Sequence, residues 1–113
     1  FFVCGGAVSI DKAFRQPFVS WWPQEDISEA EEQRAIQNLD HAAGPMDFIL
    51  THTCPASVAA QMFKGPVIYD VTAEFLDVVK DRLPSTPWYF GHWHMDKDWG
   101  RYRAMYDRVL RLV

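Results

Sequence analysis

The chain has 113 residues, of which 49% are apolar and 15% aromatic, and its formal net charge is -4. This length and composition fit one small domain with a hydrophobic core and exclude a disordered segment. The acidic balance and the lack of a Lys/Arg block argue against a dedicated nucleic-acid surface, and no apolar run approaches the ~18 residues that span a bilayer.

The first predicted element is a buried strand. Residues 1–7 are mostly apolar, and Gly5-Gly6 marks the exit of this strand into a turn. Because the chain begins inside such a strand, we expect it to be part of a longer protein. Residues 9–22 show no clear period and are predicted to form an ordered loop, whose aromatic side chains pack under the domain or line a cleft.

A helix with clear end signals comes next. Ser28 and Glu31 have the spacing of a capping box. Apolar residues then recur at helical spacing until Gly44-Pro45, which ends the helix. Residues 47–51 form a short continuous apolar run, typical of a strand covered on both faces, and this strand ends at His52.

The second half of the chain alternates in the same way. A short helix is predicted over residues 55–63, and a second amphipathic helix begins at a Thr72 cap and ends at Pro84. Residues 87–90 form the next strand, and the alternation over residues 101–113 predicts a final β hairpin. The order is strand, helix, strand, helix, strand and C-terminal hairpin, which is an α/β pattern.

Two histidines follow the strand at residues 87–90, in the sequence Gly91-His92-Trp93-His94. In extended backbone, side chains two residues apart point the same way, so both imidazoles are expected to face one point. Histidine is the commonest metal ligand. The alternative is that two histidines lie together in aromatic surroundings without binding anything.

His52 adds a third imidazole to this prediction. The carboxyl ends of parallel strands meet at one edge of a sheet, where ligands bind in open α/β folds. We therefore expect His52 to lie beside His92 and His94. Nitrogen ligands of this kind suit a borderline metal such as Zn, Mn, Fe or Co.

Neighbouring residues have competing roles. Asp96 is either an acceptor for the second nitrogen of a ligand histidine or an acid of a surface loop. Cys54 is either a fourth ligand of a single zinc or a small buried residue. Trp93 is predicted to form a wall of the cleft. Cys4 and Cys54 form no CxxC pair and no disulfide framework, which favours a reducing compartment, the cytoplasm.

The same residues resemble a known family. Gly91-His92-Trp93-His94 is similar to the Gly-His-x-His signature of calcineurin-like metallophosphoesterases, and Leu50-Thr51-His52 resembles their preceding histidine motif. The segments Gly5-Gly6-Ala7-x-Ser9-x-Asp11-Lys12 and Trp21-Trp22-Pro23-x-Glu25 resemble a bacterial and phage branch of the family. The similarity runs across most of the chain.

This resemblance implies a two-metal phosphoesterase. It assigns His52 and His92 to one metal and His94 to the other, with Mn, Fe, Zn or Co as the two divalent ions. Such a pair activates a water that hydrolyses a phosphate monoester or diester. The resemblance also implies a substrate-pocket rim formed by Asp11, Arg15 and Glu25.

The earlier motifs of the family, Asp-x-His, Gly-Asp and Gly-Asn-His, are missing from this sequence. We therefore expect residues 1–113 to form one partial domain, the C-terminal half of a metallophosphoesterase-type α/β sandwich. This half is expected to need the N-terminal half of the same fold as its partner, to be inactive alone, and to expose an apolar sheet face and an unpaired strand edge. The alternative is a non-catalytic binding or structural module that holds one zinc or no metal.

Overall fold

A five-stranded β-sheet forms one layer of the structure, and helices cover one of its faces. The computed structural model describes residues 1–8, 12–42, 44–65 and 69–112. The strands are β1 (Phe2–Cys4), β2 (Ile49–Thr51), β3 (Trp88–Phe90), β4 (Lys97–Trp99) and β5 (Tyr102–Ala104). The α-helices are α1 (Glu29–Asp40), α2 (Ala56–Met62) and α3 (Val71–Arg82), and short 3-10 helices span Lys12–Phe14 and Pro23–Glu25. None of the helices in these ranges is both long and apolar enough to cross a membrane.

The strands lie in the order β1-β2-β3-β5-β4. Strands β1, β2, β3 and β5 are parallel to their neighbours, and β4 is antiparallel to β5. Three strands separated by helical segments therefore lie side by side with their carboxyl ends at one edge. The α/β class predicted from the sequence is confirmed.

The core lies between the sheet and the three helices. Three strand residues, Phe2, Ile49 and Trp88, lie in register on this face, and each is at most 6% exposed. They pack in one cluster with Leu76 and Val79 of α3, which are fully buried. The burial of these side chains is the main source of stability, at about 1.5–3 kcal/mol for each large apolar side chain.

No helix of the described part of the chain covers the opposite sheet face. Val3 is 69% exposed and Phe1 is 73% exposed. The Phe1 and Phe48 rings stack with their centroids 5.8 Å apart, and Phe48 meets the edge of Tyr89. An exposed apolar face of this kind is unusual for a protein that acts alone.

The helix caps agree with the sequence at α1 and differ at α3. The Ser28–Glu31 capping box is formed on both sides. At α3 the cap is Asp70, whose carboxylate accepts a hydrogen bond from Ala73 N at 3.1 Å. The prediction of a Thr72 cap is wrong because Thr72 is fully buried inside the helix, where its hydroxyl accepts a hydrogen bond from Ile27 N.

The structure corrects the predicted position of the C-terminal hairpin. The hairpin consists of β4 and β5, and Gly100, at φ +55°, makes the turn between them. Residues 105–112 form no strand, because Arg108 ties this segment to the side of the hairpin through Asp98 and the carbonyl oxygen of Ala104.

Phe14 and Phe18, two aromatic residues of the loop before α1, are exposed to solvent. Phe14 is 93% exposed and Phe18 is 68% exposed, so these side chains neither pack under the domain nor line a closed cleft. The reason is the tight closure of the loop: the carbonyl oxygen of Gln16 accepts hydrogen bonds from three backbone amides, those of residues 19, 20 and 21.

Arg101 fastens the hairpin to the end of α3. Its guanidinium donates hydrogen bonds to the carbonyl oxygens of Leu83 and Thr86 at 2.6 and 2.7 Å and lies 4.9 Å from the centre of the Tyr102 ring. We expect Arg101→Met to lower the free energy of unfolding in urea by about 2–3 kcal/mol, because partly buried carbonyl groups lose a charged donor. The exposed Arg111, changed to Met, is the control and should cost less than about 0.5 kcal/mol.

Candidate metal centre

His52 is held by backbone hydrogen bonds to both neighbouring strands. Its N–H donates to the carbonyl oxygen of Cys4 at 3.1 Å, and its own carbonyl accepts from Gly91 N at 2.9 Å. The parallel pairing therefore continues one residue past the end of β2. This places His52 at the carboxyl edge of the sheet, between the ends of β1 and β3.

The segment Gly91 to His94 leaves the sheet through a tight turn. Trp93 N donates to the carbonyl oxygen of Gly91 at 2.9 Å. His92 has a φ of +72° and His94 a φ of +52°. The expectation of an extended backbone is therefore wrong at these positions. A left-handed conformation costs energy for any residue with a side chain, although histidine adopts it more often than most.

The imidazoles of His52 and His92 meet directly. His92 Nδ1 lies 3.3 Å from His52 Nε2, and the ring centroids are 5.1 Å apart. Burial lowers the pKa of His92, and the nearby His52 and His94 lower it further, against an opposing effect of Asp70. The lowered pKa favours a neutral His92 near pH 7, and the neutral imidazole is the state that binds metal.

The spacing of these nitrogens fits two ligands of one metal ion. With Zn–N bonds of about 2.0–2.1 Å, nitrogens 3.3 Å apart subtend an angle of about 105–110° at the metal. This is close to the tetrahedral angle of zinc sites. In the metal-free protein the same contact can be a hydrogen bond between the two rings.

His94 does not join this pair. Its ring stacks on Tyr106 with centroids 5.0 Å apart and an interplanar angle of 19°. Among the described residues there is no group of three or more His, Cys, Asp or Glu side chains placed to hold a metal. Of the three predicted ligands, the structure therefore brings His52 and His92 together and leaves His94 beside them, near enough for its charge to affect the pKa of His92.

Trp93 forms an aromatic wall below the histidines. Its ring stacks on Phe63 at 4.4 Å and meets the His92 ring edge-on at 5.9 Å. The role of Trp93 as a wall of a cleft stays a prediction. Its indole nitrogen is buried and has no hydrogen-bond partner within the described ranges, although it lies close enough to the Cys54 thiol to lower the pKa of that group.

Cys54 is buried in the core rather than open to the site. Its side chain is fully buried, and burial raises the pKa of its thiol to about 12 in spite of Trp93. The structure favours the interpretation of Cys54 as a small buried residue.

Asp96 binds backbone groups of the C-terminal segment. Its carboxylate accepts hydrogen bonds from Tyr106 N at 2.7 Å and Asp107 N at 3.3 Å, and lies 3.6 Å from Arg108 Nε. Within the described ranges, the Asp96 carboxylate forms no hydrogen bond with a histidine nitrogen. Its link to the site is indirect, because it holds Tyr106 in the position where the ring stacks on His94.

The predicted pocket rim is only partly described. Arg15 and Glu25 form an ion pair at 3.8 Å, and Arg15 also donates to the carbonyl oxygen of Ser20. Asp11 lies outside the described residues. Sequence analysis missed Asp70, whose charge reaches both His92 and Cys54. The signal that could have found it is its place before α3, where an aspartate is a preferred cap.

Comparisons of this chain with protein-family models, with curated proteins and with solved structures find no match. The likeness to metallophosphoesterases therefore depends on the sequence motifs quoted above.

The lowered pKa of His92 predicts a pH dependence of stability in the metal-free protein. Because the folded pKa lies below the unfolded value, the unfolded chain binds more protons between the two, and stability falls as the pH drops through that window. Urea unfolding in EDTA should therefore give a lower free energy of unfolding at pH 5.5 than at pH 7.5. His92→Gln should flatten this slope, whereas the matched change His41→Gln, on an exposed residue of the α1 cap, should retain it.

The burial of the thiols predicts their order of reaction with a disulfide reagent. Burial and the neighbouring acids Glu31 and Glu32 raise the pKa of Cys4 to about 11, but Cys4 is only half-buried, whereas Cys54 is enclosed. At pH 8, in EDTA, we expect Cys4 to react first and Cys54 to react only on unfolding. Reaction of Cys54 as fast as that of Cys4 in the folded protein would contradict its placement as a core residue.

Proposed function

We propose that this chain carries part of the metal centre of a metal-dependent phosphoesterase similar to the calcineurin-like family. In this proposal the complete protein hydrolyses a phosphate monoester or diester with a metal-activated water. The observation that supports it most is the 3.3 Å contact of His52 Nε2 with His92 Nδ1, at the carboxyl ends of adjacent parallel strands. The motifs that contain these residues are the ones that resemble the family.

The protein side chains have distinct tasks in this proposal. His52 and His92 hold one cation as neutral imidazoles, and the lowered pKa of His92 reduces competition from protons. Trp93 and Phe63 close the site on one side and restrict water there. The metal ions, when bound, lower the pKa of a bound water and neutralise charge that develops on the phosphate.

A second cation needs more than this chain provides in the described ranges. His94 would have to leave its stack on Tyr106, and the carboxylates near the site are already engaged: Asp70 caps α3 and Asp96 binds backbone amides. We therefore propose that a bridging carboxylate comes from outside the described residues. We accordingly propose that the 113 residues alone bind one cation and do not catalyse hydrolysis.

The non-catalytic alternative keeps one specific observation in its favour. The described residues pair only His52 and His92, which is enough for a single weakly held zinc and too few ligands for a two-metal centre. The version of this alternative in which Cys54 is a ligand is disfavoured, because that side chain is enclosed in the core.

Metal titration tests the proposed ligands. The wild-type chain should bind Co²⁺ or Zn²⁺ in calorimetry, and His52→Ala and His92→Ala should each weaken binding by more than ~10-fold, the loss that even an outer-sphere partner can cause. His41→Ala, on an exposed histidine of the α1 cap, is the matched control and should bind as the wild type does. Equal binding by all four proteins would overturn the assignment of the ligands.

Activity separates the enzyme from the non-catalytic module. A longer chain that contains these residues together with the missing acidic motifs should cleave p-nitrophenyl phosphate or bis(p-nitrophenyl) phosphate with Mn²⁺, and His92→Ala should abolish the cleavage. Metal binding without hydrolysis in that longer protein would favour the module. Undiminished hydrolysis in the His92→Ala variant would show that the catalytic centre lies elsewhere.

A further inference from the structure

The outer edge of β1 has free backbone groups. Phe2 N donates to the carbonyl oxygen of Phe48 at 3.0 Å, and the carbonyl oxygen of Cys4 accepts from His52 N at 3.1 Å. In a parallel pair, alternate residues turn their N–H and C=O groups to opposite sides, so Phe2 and Cys4 face β2 and Val3 faces away from it. No strand in the described part of the chain pairs with that side of Val3.

This edge lacks the features that usually protect a free strand. Proteins block exposed edges with proline, lysine, a bulge or a covering segment. Strand β1 has the sequence Phe-Val-Cys, and Val3 is 69% exposed. The backbone N–H and C=O groups of Val3 are therefore available to pair with another strand.

A groove runs along this edge between β1 and α1. Its volume is about 470 Å³. Its apolar floor includes Cys4, Ile27, Ala35, Leu39 and Met46, all of which pack against the core. An extended segment added to β1 would direct every second side chain towards this floor, because successive side chains of a strand point to opposite faces.

The polar lining of the groove favours a positive charge. Asp26 Oδ1 is buried and has no hydrogen-bond partner within the described residues, although Asp26 lines the groove. Glu31 also lines it, and the charges of Glu31 and Glu32 contribute to the raised pKa of Cys4 after the larger effect of burial. Arg34 offsets part of the charge of Glu31 but leaves Asp26 unpaired.

We propose that the free edge of β1 and this groove bind an extended peptide segment that carries an apolar residue flanked by lysine or arginine at alternate positions. The peptide backbone pairs with the N–H and C=O groups of Val3. The apolar side chain enters the groove over Ala35 and Leu39, and a basic side chain lies beside the Asp26 carboxylate. Strand addition of this kind takes its affinity from backbone hydrogen bonds and its specificity from pockets for alternate side chains. This inference uses none of the side chains of the proposed metal centre.

The test uses a blocked, fluorescein-labelled heptapeptide, Thr-Lys-Thr-Val-Thr-Lys-Thr, and a control peptide with Glu in place of both Lys residues. In fluorescence anisotropy, the Lys peptide should bind at least about tenfold more tightly than the Glu peptide, because only the Lys peptide offers a partner to the acidic lining. Asp26→Asn should reduce this preference several-fold. Equal binding of both peptides, or no binding of the Lys peptide, would overturn the proposal.

Val3→Pro tests the pairing with the backbone of the edge. This change removes the N–H that faces away from β2 and none of the β1–β2 hydrogen bonds made by Phe2 and Cys4, and proline is tolerated at such edges. We expect a loss of affinity of about tenfold with an unchanged circular dichroism spectrum, whereas Val3→Thr, which retains the N–H, should bind as the wild type does. Unchanged affinity in the folded Val3→Pro variant would contradict strand addition.

The oligomeric state identifies a competing occupant. If a second copy of the chain occupies the edge, sedimentation velocity will show a dimer that Val3→Pro converts to a monomer. That result would assign the edge to self-association and overturn the assignment to a basic peptide. A Val3→Pro variant with the sedimentation coefficient of the wild type, combined with loss of peptide binding, would support the proposal.

Discussion

The candidate site depends on the two backbone hydrogen bonds of His52. They join the carbonyl oxygen of Cys4 on one side and the amide of Gly91 on the other, so the parallel pairing continues past the end of β2. A histidine fixed at both its N–H and its C=O has little freedom to move away from the next strand. Since His92 follows Gly91 directly, the contact between the two imidazoles is a consequence of this pairing.

The backbone of the candidate site is strained at two histidines. His92 and His94 both adopt positive φ values, each of which costs on the order of 1–3 kcal/mol. Ring stacking offsets part of this cost: Trp93 stacks on Phe63, and His94 stacks on Tyr106. Residues in such conformations cluster at functional sites. The strain at two of the predicted ligands is therefore in keeping with a binding role for this segment.

The same sheet also explains the exposed surfaces of the molecule. Because all three described helices pack on one face, the other face leaves Phe1, Val3 and Tyr89 partly or largely exposed. The outer edge of β1 adjoins both this face and the groove against α1. The domain thus presents apolar surface and free backbone groups on the side away from the hairpin, and the His52–His92 pair lies at the carboxyl edge of the same sheet.

Local sequence determined the features that need only neighbouring residues: the Ser28–Glu31 capping box, the order of strands and helices, and the place of His52 and His92 just after strands. The family and its activity stay predictions from motifs. Only the tertiary structure decided which atoms meet: Asp70 rather than Thr72 caps α3, Cys54 is enclosed in the core, and His94 turns to Tyr106 while His52 and His92 pair. The physical reason is that caps and periodicity depend on residues a few positions apart, whereas ring orientation, burial and the sign of φ at the turn depend on strands and segments that are distant in sequence.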